Sequence, residues 1–217
     1  MTDQVGLYAQ ADELIDEFRA LAHPHLIVIS GPSGVGKDTV IERLRERHPE
    51  FFIAVTKTTR ERRPGEIDGY HYLFATRQEF QTACEEGDFL EWAEVYGNLY
   101  GVPKTPVRKA LRRGQTVVVK VDVQGARHIK LLAPDAVFIF LVPPSMEELT
   151  RRLRTRKTDD PEMVMRRITT ASRELRAVEM FDYVVFNESG RVEQTLDTVD
   201  AIICAENHRV HQKSAGL

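Results

Sequence analysis

The clearest chemistry in this 217-residue sequence lies in one run, Gly31-Pro32-Ser33-Gly34-Val35-Gly36-Lys37-Asp38-Thr39. Closely spaced glycines let a backbone wrap around a polyphosphate with its N–H groups turned inward, and a lysine at the end of the loop reaches the β and γ oxygens. Gly31 to Thr39 are therefore candidate ATP-binding residues, with Lys37 the candidate that meets the transferred charge. Loops of this kind normally continue Lys-Ser or Lys-Thr, whose hydroxyl ligates Mg²⁺. Here Asp38 follows Lys37, and Thr39 comes one residue later. Either Asp38 supplies a hard oxygen ligand, or its charge lies near the phosphates and weakens ATP binding. Asp38 and Thr39 are both candidate metal ligands.

Two other stretches concentrate charge: Arg60-Glu61-Arg62-Arg63 and Arg151-Arg152-Leu153-Arg154-Thr155-Arg156-Lys157. Taken alone, each reads as an ordinary solvated charge run. Asp122 is different, because it ends the apolar run Thr116–Val121. In phosphate-loop kinases a carboxylate at the end of a second strand orients Mg²⁺ through its waters.

The elements that must position these residues follow from periodicity. Leu26–Ser30, Phe51–Thr56, Thr116–Val121, Ala136–Val142 and Tyr183–Phe186 are short apolar runs, as strands covered on both faces require. Helical patterns lie between them at Val40–Arg47, Met146–Thr155 and Pro161–Met180. Ser145 with Glu148 forms a capping-box pattern, and Asp160 before Pro161 places a cap ahead of a first-turn proline. A further helix is expected over Ala11–Ala22. Such alternation indicates an α/β fold with a parallel sheet. Between Arg60 and Gly101 the rhythm breaks at Pro64-Gly65, Asp68-Gly69 and Gly97-Asn98, which reads as hairpins and loops inserted into that frame.

A hydrophobic fraction of 42% over 217 residues supports one well-buried core. Thirty Lys and Arg against 33 Asp and Glu leave a net charge of −3, so any anion site is local and a nucleic-acid partner is not expected. The sequence has no run long enough for a transmembrane helix and no signal-peptide layout over Met1 to Gln10, so the expectation is a cytoplasmic protein with no membrane partner. Cys84 and Cys204 lack metal-ligand spacing and read as reduced structural thiols.

From Leu26 to about Asn187 the chain resembles the guanylate kinases in five ordered blocks. They are the glycine-rich loop, Thr58-Thr59-Arg60-Glu61-Arg62-Arg63-Pro64-Gly65-Glu66, Glu91-Trp92-Ala93 with Gly97-Asn98-Leu99-Tyr100-Gly101, Val121-Asp122-Val123-Gln124-Gly125, and Pro143-Pro144-Ser145 leading to Arg152, Arg156 and Arg167. The resemblance implies a parallel-sheet P-loop kinase core with a lid and a small inserted monophosphate-binding α+β subdomain. The implied boundaries are an N-terminal helical extension (1–24), a kinase-like domain (25–207) and a tail (208–217). Within the domain, 25–56 and 105–207 form the core, about 57–104 the insertion and about 151–168 the lid.

The resemblance also implies roles. Arg60, Arg63, Tyr72 and Tyr100 match positions that grip the acceptor phosphate, for which planar bidentate donors are suited. Glu91 matches the carboxylate that accepts the N1–H and N2 amine of guanine, Thr56 matches a hydroxyl contact to the base, and Asp122 belongs to the GMP-binding set. Lys37, Arg60, Arg152, Arg156 and Arg167 would carry catalysis, and Asn187 would lie near the adenine site. The implied activity is transfer of the γ-phosphoryl group of ATP to GMP, and to dGMP, by a monomer or homodimer that uses Mg²⁺. Departures are Val102 where Ser or Thr is usual, Lys57 where a small polar residue or His is common, and Lys120 where an acidic residue is common, a charge swap that suggests Lys120 compensates for Asp38. Two other readings share parts of this pattern: a ribose bisphosphate kinase of the phosphonate pathway, which needs no base-reading Glu91, and a non-catalytic protein-binding module, which tends to lose the loop.

Overall fold

The structure is a computed structural model that describes residues 25–154 and 161–209. The expected helix Ala11–Ala22 and the extension 1–24, Arg156, the segment Lys157–Asp160 and tail residues 210–217 lie outside the described residues.

The chain begins with β1 (Leu26–Ser30) and runs through the glycine-rich loop into α1 (Lys37–Arg47), then β2 (Phe52–Ile53). Next come β3 (Lys57–Thr58), β4 (Leu73–Phe74), α2 (Arg77–Glu85), β5 (Phe89–Val95) and β6 (Asn98–Pro103). The remainder is α3 (Lys104–Arg112), β7 (Val117–Lys120), α4 (Val123–Leu132), β8 (Val137–Val142), α5 (Met146–Arg154), α6 (Pro161–Leu175), β9 (Tyr183–Phe186) and α7 (Val192–Asn207).

Five strands form a parallel sheet in the order β2-β7-β1-β8-β9. Every residue of β1 is buried because its alternate side chains serve two cores. Ile27 and Ile29 pack on one face with Val40, Ile41 and Leu44 of α1 and Leu196, Val199 and Ile203 of α7. Leu26 and Val28 pack on the other with Val107 and Ala110 of α3 and Ala126 and Ile129 of α4. Helices on both faces explain why these strands are continuously apolar rather than alternating. They also bring the C-terminal ends of β1 and β7 side by side, in the register Ile29 to Lys120. Ligands of open parallel sheets bind at that end.

The four-stranded second sheet, β4-β3-β6-β5, is built from residues 57–103 and is mostly antiparallel, with only β3 and β4 parallel. The run expected as one strand over Phe51–Thr56 is divided. Phe52 and Ile53 pair with β7, the Ala54 N–H still reaches the Val118 carbonyl, and the chain then crosses to the second sheet, where Thr56 accepts from Leu73 N–H. Thr56 therefore sits at the junction of the two sheets.

The β5–β6 turn is centred on Tyr96 and Gly97 rather than on Gly97-Asn98. Val95 pairs with Asn98, and both central residues have positive φ, 50° and 79°, as a two-residue hairpin with right-handed strand twist requires. Helix α2 was not anticipated. Thr76 opens it with a complete capping box, its hydroxyl accepting from Glu79 N–H while the Glu79 carboxylate accepts from Thr76 N–H. At Ser145 only half of the anticipated box forms: Ser145 Oγ accepts from Glu148 N–H, while the Glu148 carboxylate pairs with Arg151 and Arg152. The helix anticipated to run through Met180 is α-helical to Leu175 and 3₁₀ over Arg176–Met180. Cys84 and Cys204 are free thiols.

Candidate active site

Helix α1 starts at Lys37, three residues earlier than its apolar periodicity indicates, so the loop feeds the helix N-terminus directly. Gly36 precedes it at φ 103°, where a Cβ would stand 2.4 Å from Asn187 Nδ2. Only glycine satisfies both the backbone angle and the contact. The carbonyl of Val35 is clamped from behind, accepting from Asn187 Nδ2 at 2.8 Å and from Arg152 Nη1 at 2.9 Å. Arg152 also donates to the Asn187 carbonyl and to Ser189 Oγ, both at 2.9 Å, and pairs with Glu148. Arg151, Ser189 and Arg152 together hold the Glu148 carboxyl well below the usual range.

On the cleft side, the Lys37 ammonium donates to the carbonyls of Gly31 and Pro32. Burial lowers its pKa, opposed by Glu174, Asp38 and Asp122. Ser33 N–H, one of the inward-facing amides, donates to Glu174 Oε2 at 3.1 Å, so a carboxylate lies against the loop. Burial raises the Glu174 pKa against the pull of Lys37.

A cleft of about 150 Å³ joins this loop to the second sheet. Ser33, Gly34, Gly36, Lys37 and Asp38 of the loop line it, and so do Arg60, Arg63, Tyr72 and Tyr100. The buried Thr56, Glu91 and Ala93 line it as well, with Val95, Lys120 to Asp122, Tyr96, Arg167 and Glu174 completing the wall. Of the anticipated site residues, Gly31, Pro32 and Val35 are buried within the loop and Thr39 is exposed; none of these four lines the cleft, nor do Arg152 and Asn187. Arg152 and Asn187 instead brace the loop from outside.

Arg60 is held rather than free. Its Nη2 donates to Glu66 Oε1 at 2.7 Å, the other Glu66 oxygen accepts from Arg63 N–H at 2.8 Å, and the guanidinium lies 5.3 Å from the Tyr72 ring centre. Burial works against the Arg60 charge, but Glu66 outweighs it and raises the pKa. Arg167 is buried with its guanidinium 5.3 Å from the Tyr96 ring.

Glu91 is buried, and its Oε2 has no hydrogen-bond partner among the described residues. Burial, and then the nearby Asp122 charge, push its pKa up to about 8. A Cβ on Gly125 would come within 2.6 Å of Glu91 Oε2, so the glycine is what lets the carboxyl fit. Val102 pairs directly opposite Glu91 and is fully buried in the core, so it offers the carboxyl no hydroxyl. Lys57 is absent from the cleft wall, its ammonium lying 5.9 Å from the Phe89 ring. Asp122 caps α4 by accepting from Gly125 N–H at 2.8 Å.

Asp38 and Lys120, the two departures in charge, form an ion pair, and Tyr72 joins them by accepting from the Lys120 ammonium at 2.9 Å. Sequence reasoning did not nominate Glu66, Tyr96, Lys120 or Glu174. Glu174 lies seven residues after Arg167 on α6, which is helical spacing for one face and was the available signal.

Among the described residues no helix is long and apolar enough to cross a membrane, and no group of three or more acidic, His or Cys side chains gathers as a metal cage. Mg²⁺ at phosphates asks for less, one or two carboxylates with the rest from water and phosphate, and Asp38 and Asp122, which both line the cleft, fit that demand.

The guanylate kinase family model matches residues 23–206. A guanylate kinase of Carboxydothermus hydrogenoformans is 45% identical over 181 residues, covering 83% of this chain and 88% of that protein. One from Clostridium perfringens is 47% identical over 192 residues, covering 88% of each. Among solved structures, the guanylate kinase from Anaplasma phagocytophilum matches with a TM-score of 0.72 at 32% identity, covering 88% of this chain and 89% of that one.

Proposed function

The chain belongs to the guanylate kinase family, and from that premise we propose that it transfers the γ-phosphoryl group of ATP to GMP, and to dGMP, releasing ADP and the guanosine diphosphate. The observation that carries the reading is a single cleft lined by the glycine-rich loop with Lys37, by Arg60 and Arg63, and by the buried Glu91.

The acceptor needs no protein nucleophile, because a GMP phosphate oxygen is already anionic. That oxygen bonds to the γ-phosphorus as the bond to the ADP oxygen breaks, so catalysis is alignment and charge stabilisation. Inward amides and Lys37 hold the donor phosphates. Arg60, fixed by Glu66, grips the acceptor phosphate together with Arg63, Tyr72 and Tyr100. Glu91 accepts from the guanine N1–H and N2 amine, with Thr56 beside it. A buried acceptor left unpaired penalises adenine, by factors of ~10⁴ in sites of this kind. Arg167, which lines the cleft, meets the charge that develops on the transferring group. Arg156 is assigned the same role by resemblance, whereas Arg152 and Asn187 act by bracing the loop. Asp38 and Asp122 are the residues that would hold Mg²⁺, which when bound would neutralise phosphate charge; Thr39, exposed on α1, is less well placed. The core, insertion and lid boundaries, and a cytoplasmic setting, belong to the same reading.

The test is ADP release with GMP, dGMP, AMP, CMP, UMP and ribose 1,5-bisphosphate as acceptors. GMP and dGMP are expected to be used best. AMP as the best acceptor would overturn the assignment of Glu91, and ribose bisphosphate as the best would establish the other kinase reading.

A further inference from the structure

Lys120 ends β7 inside the cleft, with its side chain only 13% exposed. Its ammonium donates to Asp38 and to the Tyr72 hydroxyl, and it lies 4.3 Å from the Tyr72 ring centre. Tyr72 thus contacts two cations, since Arg60 lies over the same ring. An ammonium has three N–H donors. Two of them go to Asp38 and Tyr72, and the third has no acceptor among the described residues.

Fold stability does not require this lysine. Burial opposes its charge, although the Asp38 carboxylate and the Tyr72 hydroxyl outweigh that and keep its pKa above the ordinary value. An apolar side chain of similar size would fill the space at less desolvation cost. Nor does Asp38 need a counter-ion, because its side chain is 56% exposed and water can solvate it. The feature that does call for a buried cation here is the acceptor side of the cleft, where Arg60, Arg63 and Tyr72 converge.

We propose that Lys120 is a third cation of the acceptor-phosphate cradle, held on Asp38 until a monophosphate binds beside Arg60 and Tyr72 and then passed to a phosphate oxygen. The inference rests on the kinase reading above, which identifies what binds there. The exchange is inexpensive, because an ion pair with an exposed carboxylate is worth little. A cation–phosphate hydrogen bond is of the stronger kind, and lysine's four-carbon stem supplies the reach. The two departures, Asp38 and Lys120, then work as one device spanning the donor loop and the acceptor cradle.

Calorimetric binding of GMP and of guanosine, with EDTA present so that no divalent cation intervenes, tests this. Lys120→Met is expected to weaken GMP binding about ten- to a hundredfold, the loss of one charge-assisted hydrogen bond, while guanosine binding stays at the parent level and reports an intact base site. Asp38→Asn releases the ammonium and is expected to tighten GMP binding. The double variant is expected to stay as weak as Lys120→Met, and Lys120→Arg to recover most of the affinity. If Lys120→Met loses guanosine binding as well, Lys120→Gln takes its place in the same comparison. A double variant that binds GMP as the parent does would make Lys120 a counter-ion only, and would overturn the inference. GMP binding equal in parent and Lys120→Met would overturn it too, leaving the guanylate kinase reading intact. A parent that binds neither ligand removes that reading and this inference together.

Discussion

Raising the pH from 6.5 to 8.5 should tighten GMP binding, through the ionisation of Glu91. Guanine offers two donors, which only the ionised carboxylate accepts at both oxygens, but burial and the Asp122 charge push the Glu91 pKa up to about 8. At pH 6.5 about 3% of molecules carry the carboxylate, and at pH 8.5 about three quarters do, a ratio of about 25 or ~1.9 kcal/mol in apparent affinity. Binding at the lower pH therefore releases nearly one proton per ligand. Titration calorimetry across this range, in two buffers of different ionisation enthalpy, reads both the affinity and the proton. Guanosine run in parallel removes the phosphate's own titration near pH 6. Glu91→Gln is expected to bind weakly and without pH dependence. Stability runs in the opposite direction. The folded pKa lies above the unfolded one, so the contribution is complete below about pH 4.5 and is lost as the pH rises through about 8, where Glu91→Gln gains on the parent in thermal unfolding. An affinity for guanosine that stays flat in the parent between pH 6.5 and 8.5 would refute the reasoning.

Two further outcomes follow from the cleft geometry. Arg60→Lys keeps the charge but cannot keep both the Glu66 bond and a planar grip on phosphate, so GMP KM is expected to rise and kcat/KM to fall about tenfold to a hundredfold in steady-state assays, with ATP KM little changed. Glu174→Ala removes the acceptor held on Ser33 N–H, and ATP is expected to bind about fivefold more tightly by calorimetry, since ~1 kcal/mol of competing hydrogen bond no longer has to be displaced.

The parts of this fold legible in the sequence are those set by contiguous residues. The β1 run, the glycine-rich loop and the α1 pattern lie together, and the apolar run over residues 137–142 has only one way to be buried on both faces. What was missed depends on partners distant in sequence. The run over residues 51–56 divides because β7 pairs with its start while the second sheet claims its end. Helix α2 has a legible capping pair, Thr76 and Glu79, but it stands in a segment whose turn-forming glycines read as hairpins and loops. The β5–β6 turn was displaced by one residue because Tyr96, a residue that rarely adopts positive φ, holds a turn position that glycine or asparagine usually fills. That Lys120 offsets Asp38 is suggested in the sequence by the opposite signs of the two departures alone; the contact itself spans 82 residues and forms because β7 lies beside β1. Arg152 and Asn187 read as ligand residues by resemblance, yet their hydrogen bonds turn toward the Val35 carbonyl.

The central claim is that donor and acceptor phosphates meet across one cleft, between Lys37 and the pair Arg60 and Arg63. A crystal structure with adenosine and guanosine joined through five phosphates measures this directly. The expected result is one molecule spanning the cleft, its guanine on Glu91 and its phosphate chain running from the amides around Lys37 to Arg60 and Arg63. Phosphates bound at the loop alone, with both arginines out of reach of the chain and the guanosine outside the Glu91 pocket, would contradict it.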